Sequence, residues 1–272
     1  MKQSLVQYRV EHGIATLTLN DGERMNPLSP LLLQGCLEAL DEVREDRGVR
    51  ALVLAANGRG FCSGADLSAM GATLGRPRAL GTPSLGEETA RLMTESGNVL
   101  VEGLRSLPVP VVCAMHGAVA GGGVGVVLAA DVVIAARSSY FYLPFAPALG
   151  VVPDMGCAWF MQRAVGRSRS LGLTLMGDRL GADQAERWGL IWACVDDARL
   201  SEEVAGAAAR LAALPSHAIT EARALHDHAE RATLVDQLAY ERERQRELID
   251  RPEFGEGVRA FLDRRRPMFS GR

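Results

Sequence analysis

Two glycine-bearing turns, each placed directly after a short apolar run, most constrain how this chain can fold. The apolar run 51–56 leads through an Asn-Gly pair to the segment 60–66, and the run 109–117 leads to the glycines 121–123. Short apolar runs bounded by turn signals are typical of buried strands, and in the second case the glycines open a helix. A helix start presents unpaired backbone N–H groups and the positive end of the helix dipole, which favour a negatively charged oxygen. The second turn is therefore a candidate anion-binding site.

Two other uses of these glycines have to be weighed. A dinucleotide-binding fingerprint fails on spacing, because Val126 stands where the third glycine is required after Gly121 and Gly123, and Leu128 where it is required after Gly123 and Gly125. The second use is purely structural, since glycines at strand ends also permit tight turns and close helix packing. The local sequence alone leaves that reading open.

The first part of the chain alternates strand-like and helix-like patterns. Leu5–Val10 and Ile14–Leu19 alternate polar and apolar side chains around a Glu-His-Gly turn, which predicts a β-hairpin. Ser29 and Pro30 suit the cap and first position of an amphipathic helix that runs to residue 46. The run 132–136 indicates a further strand. Such alternation predicts an α/β fold.

Two segments depart from this alternation. Residues 71–87 are rich in Gly, Pro, Thr and Ser, which favours a mobile loop able to cover a site. From about Arg167 onward the pattern becomes helical and forms a C-terminal appendage. The predicted helices are 168–177, 182–189, 199–214, 216–250 and 253–266.

Composition excludes several classes of protein. The chain has 272 residues and a formal charge of −3 with both signs mixed along it, so no basic stripe for nucleic acid is present. The N-terminus lacks the apolar core of a signal peptide, and the apolar stretch 118–136 is interrupted by glycines and Asp131, which indicates buried core and no membrane span. We expect a cytoplasmic protein. Five scattered cysteines without a Cys-x-x-Cys pair suit reduced thiols, with neither disulfides nor a metal site.

The two turns belong to a larger set of landmarks that resembles the crotonase (enoyl-CoA hydratase/isomerase) superfamily over nearly the whole chain. Each landmark is weak alone, but six occur in the family's order. They are Arg24-Met25-Asn26-Pro27-Leu28, Ser63-Gly64-Ala65-Asp66, Ala120-Gly121-Gly122-Gly123, Asp131, Gly150-Val151-Val152-Pro153-Asp154, and a C-terminal stretch from Phe254 to Phe269.

The resemblance implies an α/β crotonase spiral of ββα units over residues 1–197 and a helical, trimerisation region over 198–272. It implies a homotrimer or homohexamer. Ala65 and Gly122 occupy the positions of two backbone N–H donors that form an oxyanion hole for an acyl-CoA thioester. The implied substrate-binding and CoA-binding positions are Arg24, Met25, Cys62, Ala65, Asp66, Leu67, Gly121, Gly122, Phe145, Ala146, Phe261 and Arg264.

The sequence departs from the hydratases of this superfamily at both of their catalytic glutamates. The first position falls on Gly125, and the second on Ala146, or on Phe145 if one extra residue near 143–148 is placed differently. None of these can hold and activate a water molecule with a carboxylate. Ordinary hydration is therefore not expected.

Asp154 stands where isomerases of the superfamily carry an acidic residue, and one carboxylate suffices for a 1,3-proton shift. We expect its apolar neighbours, Val151, Val152, Met155 and Trp159, to raise its pKa by desolvation. The alternative is that Asp154 caps a helix over residues 155–162. The stretch 150–189 is most similar to the isomerases of phenylacetate degradation.

Other chemically capable side chains have simpler interpretations. His116 is expected to be packed, the Cys62-Ser63 pair is not a nucleophile elbow, and Asp66 is expected to brace its turn. The three glutamates 87, 88 and 95 suit a solvated helix face, with a smaller chance that one supplies a second acid. In this family the C-terminal helix of a neighbouring subunit often reaches the CoA phosphates, a role open to Arg264 or Arg265.

The prediction is an acyl-CoA isomerase that forms a thioester enolate and needs neither a metal nor another cofactor, because coenzyme A arrives as part of the substrate. The competing enzyme is a hydratase that recruits Glu87, Glu88 or Glu95. The competitor from another class is a catalytically silent acyl-CoA binding protein. The sequence leaves open whether the acyl group is a straight chain or a ring.

Overall fold

The computed structural model describes residues 4–75 and 81–269, and its strands form two sheets. In chain order the strands are β1 (Val6–Glu11), β2 (Ile14–Leu19), β3 (Ala51–Ala56), β4 (Val111–Met115), β5 (Ala118–Ala120), β6 (Val132–Ala136), β7 (Tyr140–Tyr142), β8 (Leu180–Gly181) and β9 (Ala193–Val195). The large sheet has the order β1-β2-β3-β4-β6-β9, and the small sheet has the order β5-β7-β8. The predicted hairpin is confirmed, because β1 and β2 pair antiparallel with Val6 opposite Leu19. The other pairs of the large sheet are parallel.

The described helices cover the large sheet and extend beyond it. They are α1 (Pro30–Glu45), α2 (Leu67–Gly71), α3 (Leu85–Leu92), α4 (Asn98–Ser106), α5 (Gly122–Leu128), α6 (Cys157–Met176), α7 (Ala182–Arg187), α8 (Leu200–Ala212), α9 (Ala218–Ala229), α10 (Leu234–Ile249) and α11 (Pro252–Leu262). Two π-helical turns, Met93–Gly97 and Phe145–Leu149, precede α4 and α6. None of the helices in the two described ranges combines the length and apolar character that crossing a bilayer requires.

A repeated unit organises the first part of the chain. A longer strand of the large sheet is followed by a short strand of the small sheet and then by a helix, as in β4-β5-α5 and in β6-β7-α6. After β3 a single bridge residue, Cys62, takes the place of the short strand before α2. Equivalent turns of successive units therefore stack beside one another.

Helix α1 forms where the sequence predicts it. The hydroxyl of Ser29 accepts a hydrogen bond from the N–H of Leu32 at 3.3 Å, and Pro30 occupies the first turn, where no N–H is needed. The buried side chains of α1 include Leu33 and Leu40, which join the main core. The opposite face of the sheet is covered by α8, whose Val204 packs with Val53, Val112, Ile134 and Ala208 in a second core.

The helical prediction for the C-terminal region needs correction at two places. The single helix predicted over 216–250 is wrong: α9 ends at Ala229, and α10 starts anew after Thr233, whose side chain accepts from the N–H of Asp236. Helix α6 begins ten residues before Arg167, at Cys157, and is interrupted at Gly166, which adopts φ 80° and ψ 160°. Strands β8 and β9 are too short to show a period in the sequence.

A buried ion pair docks α9 onto the sheet. The Arg223 guanidinium donates to both carboxylate oxygens of Asp131, at 2.8 and 2.6 Å, and to the carbonyl oxygen of Leu107 at 2.5 Å. The Asp131 carboxylate also accepts from the N–H of Val111 at 2.7 Å. The side chains of Arg223 and Asp131 are only 10% and 14% exposed, so each buried charge needs the other as its counter-ion.

Replacing Arg223 with alanine leaves the Asp131 carboxylate buried without its cation. We expect Arg223→Ala to lower the free energy of unfolding by about 3 kcal/mol in a denaturant titration. Arg242, whose side chain is 73% exposed beside Glu243, gives the control. Arg242→Ala should change the same quantity by less than about 0.5 kcal/mol, and equal losses in the two variants would contradict the assignment.

Candidate active site

The short-strand ladder places the two glycine-bearing turns side by side. Cys62 bridges Val119 in parallel, and the N–H of Ala120 donates to the carbonyl oxygen of Cys62 at 2.8 Å. Ala65 lies three residues after Cys62, and Gly122 lies three residues after Val119. The pairing therefore gives Ala65 and Gly122 equivalent places in adjacent units of the fold.

Glycine at position 64 is required for the close approach of these turns. Gly64 adopts φ +85°, and a Cβ there would lie 2.9 Å from the carbonyl oxygen of Ala120 and 3.2 Å from the Cα of Gly121. Gly122 is the first residue of α5, so its N–H has no intrahelical acceptor. Within residues 4–75 and 81–269, the N–H groups of Ala65 and Gly122 donate to no acceptor. Both donors are available to an external oxygen.

Asp154 brings a carboxylate to the same place. Its Oδ1 is buried with no hydrogen-bond partner in the described parts of the chain, and it lies 3.1 Å from the position that a Cβ on Gly122 would occupy. Burial raises the pKa of the Asp154 carboxyl, and its own backbone N–H offsets part of that effect. A carboxylate so placed is a proton acceptor without a structural partner.

The alternative capping role does not fit the geometry of Asp154. Helix α6 starts at Cys157 with Gly156 as its N-cap, and the N–H of Cys157 donates to the main-chain oxygen of Asp154 at 2.9 Å. The side-chain Oδ1 makes no such bond. The main-chain oxygen of Asp154 accepts a hydrogen bond at the start of the helix, and Asp154 also lines the cavity.

One cavity of about 790 Å³ unites these groups. Ala65, Gly122 and Asp154, from three distant parts of the sequence, all line it. Most of its other walls are apolar side chains from α1, α2, α3 and the π-helical turn at 93–97, including Leu33, Leu37, Met70, Leu92 and Met93. The arrangement offers two N–H donors and the adjacent Asp154 carboxylate to an apolar ligand that carries a carbonyl group.

Comparison with known proteins agrees with this geometry. The sequence model of a family described as enoyl-CoA hydratase/isomerase matches residues 9–272. The chain belongs to the enoyl-CoA hydratase/isomerase family. It is 40% identical over 263 residues to the 1,2-epoxyphenylacetyl-CoA isomerase of Escherichia coli (strain K12), with 97% of each chain covered. It is 38% identical over 272 residues to a Rhodobacter capsulatus protein named "Probable enoyl-CoA hydratase", with 100% of each covered.

Solved structures of the enoyl-CoA hydratase/isomerase family share the fold. An enoyl-CoA hydratase from Bacillus anthracis superimposes with a TM-score of 0.86 at 27% identity, over 98% of this chain and all of that one. The predicted crotonase fold, a spiral of ββα units with a helical C-terminal region, is thereby confirmed. The similarity of the sequence to isomerases of the phenylacetate pathway is also confirmed.

Neither position at which the resemblance places a hydratase glutamate carries a carboxylate here, and the first is closed by packing. A Cβ at position 125 would overlap the carbonyl oxygen of Met155, so the space beside α5 is filled by backbone. The segment that includes the second of these positions forms the π-helical turn Phe145–Leu149. Phe145 is buried, Ala146 is partly exposed, and neither lines the cavity.

The expected source of the desolvation of Asp154 is partly wrong. Val151, Val152 and Trp159 are exposed and do not line the cavity. They flank Asp154 in sequence, but Val151 and Val152 are exposed in the loop before α6, and Trp159 is exposed on α6 itself. Met155 is buried and lines the cavity with Asp154, as do apolar side chains of α1 and α3.

The glycine-bearing turn at 60–66 is held in place by residues that precede α1. Asp66 caps α2 by accepting from the N–H of Ala69 at 3.1 Å and receives the Arg24 guanidinium at 2.5 Å, which confirms its bracing role. Burial by itself would raise the pKa of Asp66. The hydrogen bonds from Arg24 and from the N–H of Ala69 outweigh it, so the pKa of Asp66 is lowered overall. Met25 is left-handed at φ 59°, and its carbonyl oxygen accepts from the N–H of Ser63 at 2.8 Å.

Asn26 is a bracing residue whose role the sequence did not reveal. It is fully buried, and its amide donates to the carbonyl oxygens of Asn57, Gly60 and Phe61 at 2.9, 3.2 and 3.0 Å. Its Oδ1 accepts from the N–H of Asp21 at 2.8 Å. The available signal was an asparagine beside apolar positions, but the three carbonyl groups to which it donates lie more than thirty residues away.

The remaining predicted positions divide into packed and surface groups. The Cys62 thiol is buried against Gly123, and burial raises its pKa to about 12, which suits a packed side chain. His116 packs edge-on against Phe61. Leu67, Gly121, Phe261 and Arg264 do not line the cavity, and Phe261 is 83% exposed on α11. Their predicted contacts with CoA remain predictions.

The three candidate glutamates differ in their surroundings. Glu87 forms a capping box with Ser84 at the start of α3, and the hydrogen bonds from Ser84 lower its pKa. Glu88 and Glu95 line the cavity with Asp154. The predicted loop 71–87 is shorter in the structure, because α3 begins at Leu85. Residues 76–80 of that loop lie outside the described residues.

Gly125→Ala tests whether the backbone at Met155 closes this position. Although alanine favours a helix interior, its methyl group would displace the Met155 carbonyl and with it the adjacent Asp154. We expect kcat for acyl-CoA turnover to fall by about 10- to 100-fold. Gly206→Ala in α8, where a Cβ would meet nothing within 4 Å, should leave kcat unchanged. Full activity in Gly125→Ala would refute the packing argument.

Proposed function

We propose that this protein is an acyl-CoA isomerase that shifts a double bond through a thioester enolate. The single observation that carries the proposal is the placement of one buried, unpartnered carboxylate, Asp154, beside Gly122 at the oxyanion hole, with the first hydratase position closed by backbone. A single carboxylate beside Gly122, with no acid at the two positions of the hydratase pair, favours moving a proton over adding water.

In the proposed reaction, Asp154 first takes a proton from the substrate and then returns it to another carbon. The ionised Asp154 carboxylate takes a proton from a substrate carbon, the electron pair moves onto the thioester oxygen, and the N–H groups of Ala65 and Gly122 donate to that oxygen. Each donor is expected to lower the barrier by about 3 kcal/mol in a site that excludes water. The neutral Asp154 then returns the proton further along the conjugated system, so the double bond has moved and the carboxylate is regenerated.

The substrate class follows from the cavity walls. Its apolar side chains suit an uncharged acyl group, and coenzyme A, as part of the thioester, supplies the only group other than the protein that the reaction needs. The name of the Escherichia coli relative, 1,2-epoxyphenylacetyl-CoA isomerase, makes a ring-bearing acyl group one candidate, beside straight-chain enoyl groups.

A hydratase with an unusual second acid is the other candidate function. The observation that favours it is the presence of Glu88 and Glu95 in the wall of the same cavity. It ranks second because these glutamates belong to the helical segment over 85–97, and neither occupies a position where the family's hydratases carry their pair.

A trimer or hexamer is also proposed. Apolar side chains on the surface of α10 and α11 support an assembly, because Leu234, Val235 and Leu262 are more than 70% exposed. Such an assembly could bring Phe261 and Arg264 of one subunit toward the CoA of another.

Paired substrates separate isomerisation from hydration. We expect a 3-enoyl-CoA to be converted to its conjugated 2-enoyl isomer, which is followed by ultraviolet absorbance and chromatography. A 2-enoyl-CoA should not yield the 3-hydroxyacyl product. Rapid hydration without migration of the double bond would refute the isomerase proposal, and binding without either reaction would favour an acyl-CoA binding protein.

Asp154→Asn tests the base directly. The variant keeps the shape of the side chain but cannot take a proton, so kcat should fall by about 100- to 10,000-fold. The exposed Asp41→Asn on α1 serves as the control and should keep full activity.

The pH profile of the unmodified enzyme provides a second test of Asp154. The base acts when ionised and burial favours its neutral form, so activity should be lost as pH falls through a pKa above the ordinary value of about 3.9. An acid limb of kcat/KM at or below that value would contradict the desolvated base.

A further inference from the structure

The residue directly after the proposed base has an unusual backbone. Met155 adopts φ 51°, and Gly156 follows at φ 76°, so two successive residues are left-handed. Residues other than glycine rarely adopt this backbone conformation unless the surroundings enforce it. Met155 is 5% exposed, so its packing can supply that enforcement.

Three glycines on two helical segments receive three different parts of Met155. A Cβ on Gly97 would lie 2.8 Å from the Met155 sulfur, and one on Gly122 would lie 2.8 Å from its Cγ. A Cβ on Gly125 would overlap its carbonyl oxygen. We call this set of glycines, 97, 122 and 125, the methionine slot. A larger residue at any of them would push Met155 out.

The methionine slot joins the base to the oxyanion hole. Gly122 supplies a wall of the slot and a hole N–H, and the Asp154 Oδ1 lies 3.1 Å from the position of a Cβ on the same glycine. Gly97 ends the π-helical turn Met93–Gly97, a local form that often occurs at functional sites. The depth to which Met155 seats therefore sets how far the carboxylate stands from the hole.

We propose that Met155 is a positioning residue, whose side chain, seated in the methionine slot, holds the Asp154 carboxylate beside the Gly122 N–H and shields it from water. This inference rests on the proposed role of Asp154 as the base. In this role the Met155 thioether determines where the Asp154 carboxylate lies, but it takes no part in the proposed proton transfer.

Met155→Ala removes the seated side chain and leaves the catalytic groups in the sequence. With a 3-enoyl-CoA as substrate, kcat should fall by about 10- to 100-fold, more than KM rises, because the main loss is alignment of the base, although Met155 also lines the cavity. Water entering the slot should also relieve the desolvation of Asp154, so the acid limb of the pH profile should move to lower pH.

Met161→Ala is the matched control. Met161 is fully buried on α6 but does not line the cavity, so its loss should lower the melting temperature without changing kcat per folded enzyme or moving the acid limb. A purely structural role for Met155 would make the two variants alike, and that outcome would overturn the proposal.

A double-mutant cycle tests the contact itself. Gly97→Ala alone should lower kcat, because its methyl group collides with the Met155 sulfur. In the Met155→Ala background the collision partner is absent, so adding Gly97→Ala should cause little further loss. Additive effects on kcat would overturn the slot as the cause.

Asp154→Asn, measured beside these variants, distinguishes the two levels of failure. If Asp154→Asn is inactive while Met155→Ala keeps the kcat and acid limb of the unmodified enzyme, only the positioning proposal fails. If Asp154→Asn keeps full turnover, the proposed function and the positioning role that depends on it fail together.

Discussion

The parallel pairing of short strands beside the main sheet is the constraint on which the site depends. Cys62 bridges Val119, and Val119 pairs with Phe141, so equivalent turns of successive units stack in register. Register is strict in such a ladder because a shift of one residue would exchange buried and exposed side chains. The two proposed oxyanion-hole donors are therefore positioned by backbone pairing, and neither depends on the chemistry of its own side chain.

Close packing then converts this register into a reactive site. Gly64 lets the two turns touch, and Gly122 and Gly125 let the loop after Pro153 press against α5. The same contact closes the position of a hydratase glutamate and carries Asp154 to the hole. Exclusion of a carboxylate from position 125 and placement of Asp154 are thus two results of one packing arrangement.

Electrostatics separates the bracing charges from the proposed catalytic one. Asp66 and Asp131 each have an arginine partner, Arg24 and Arg223, and each also accepts a backbone hydrogen bond. The Asp154 Oδ1 has neither in the described residues, which is costly for folding and useful for proton transfer. The ion pair of Asp131 lies at the docking site of α9, where it supports the C-terminal helices without contributing to the cavity.

The sequence by itself determined the local elements and the identity of the central residues. The resemblance of the two glycine turns to those of the crotonase superfamily pointed to Ala65 and Gly122. Alternation specified the first hairpin, and Ser29 and Pro30 specified the start of α1. Such features are set by neighbours a few residues apart. Asp154 was indicated by its place in an ordered set of landmarks, but its freedom from a capping role was visible only in the fold.

Only the tertiary structure decided which surfaces meet. It showed that Val151 and Val152 point outward, that Asn26 holds the first turn through distant carbonyl groups, and that Glu88 and Glu95 face the cavity while Glu87 caps a helix. It also showed that Met155 fills the space beside Gly125. These outcomes depend on contacts between segments far apart in the chain, and a sequence records the residues at such a contact without recording that they touch.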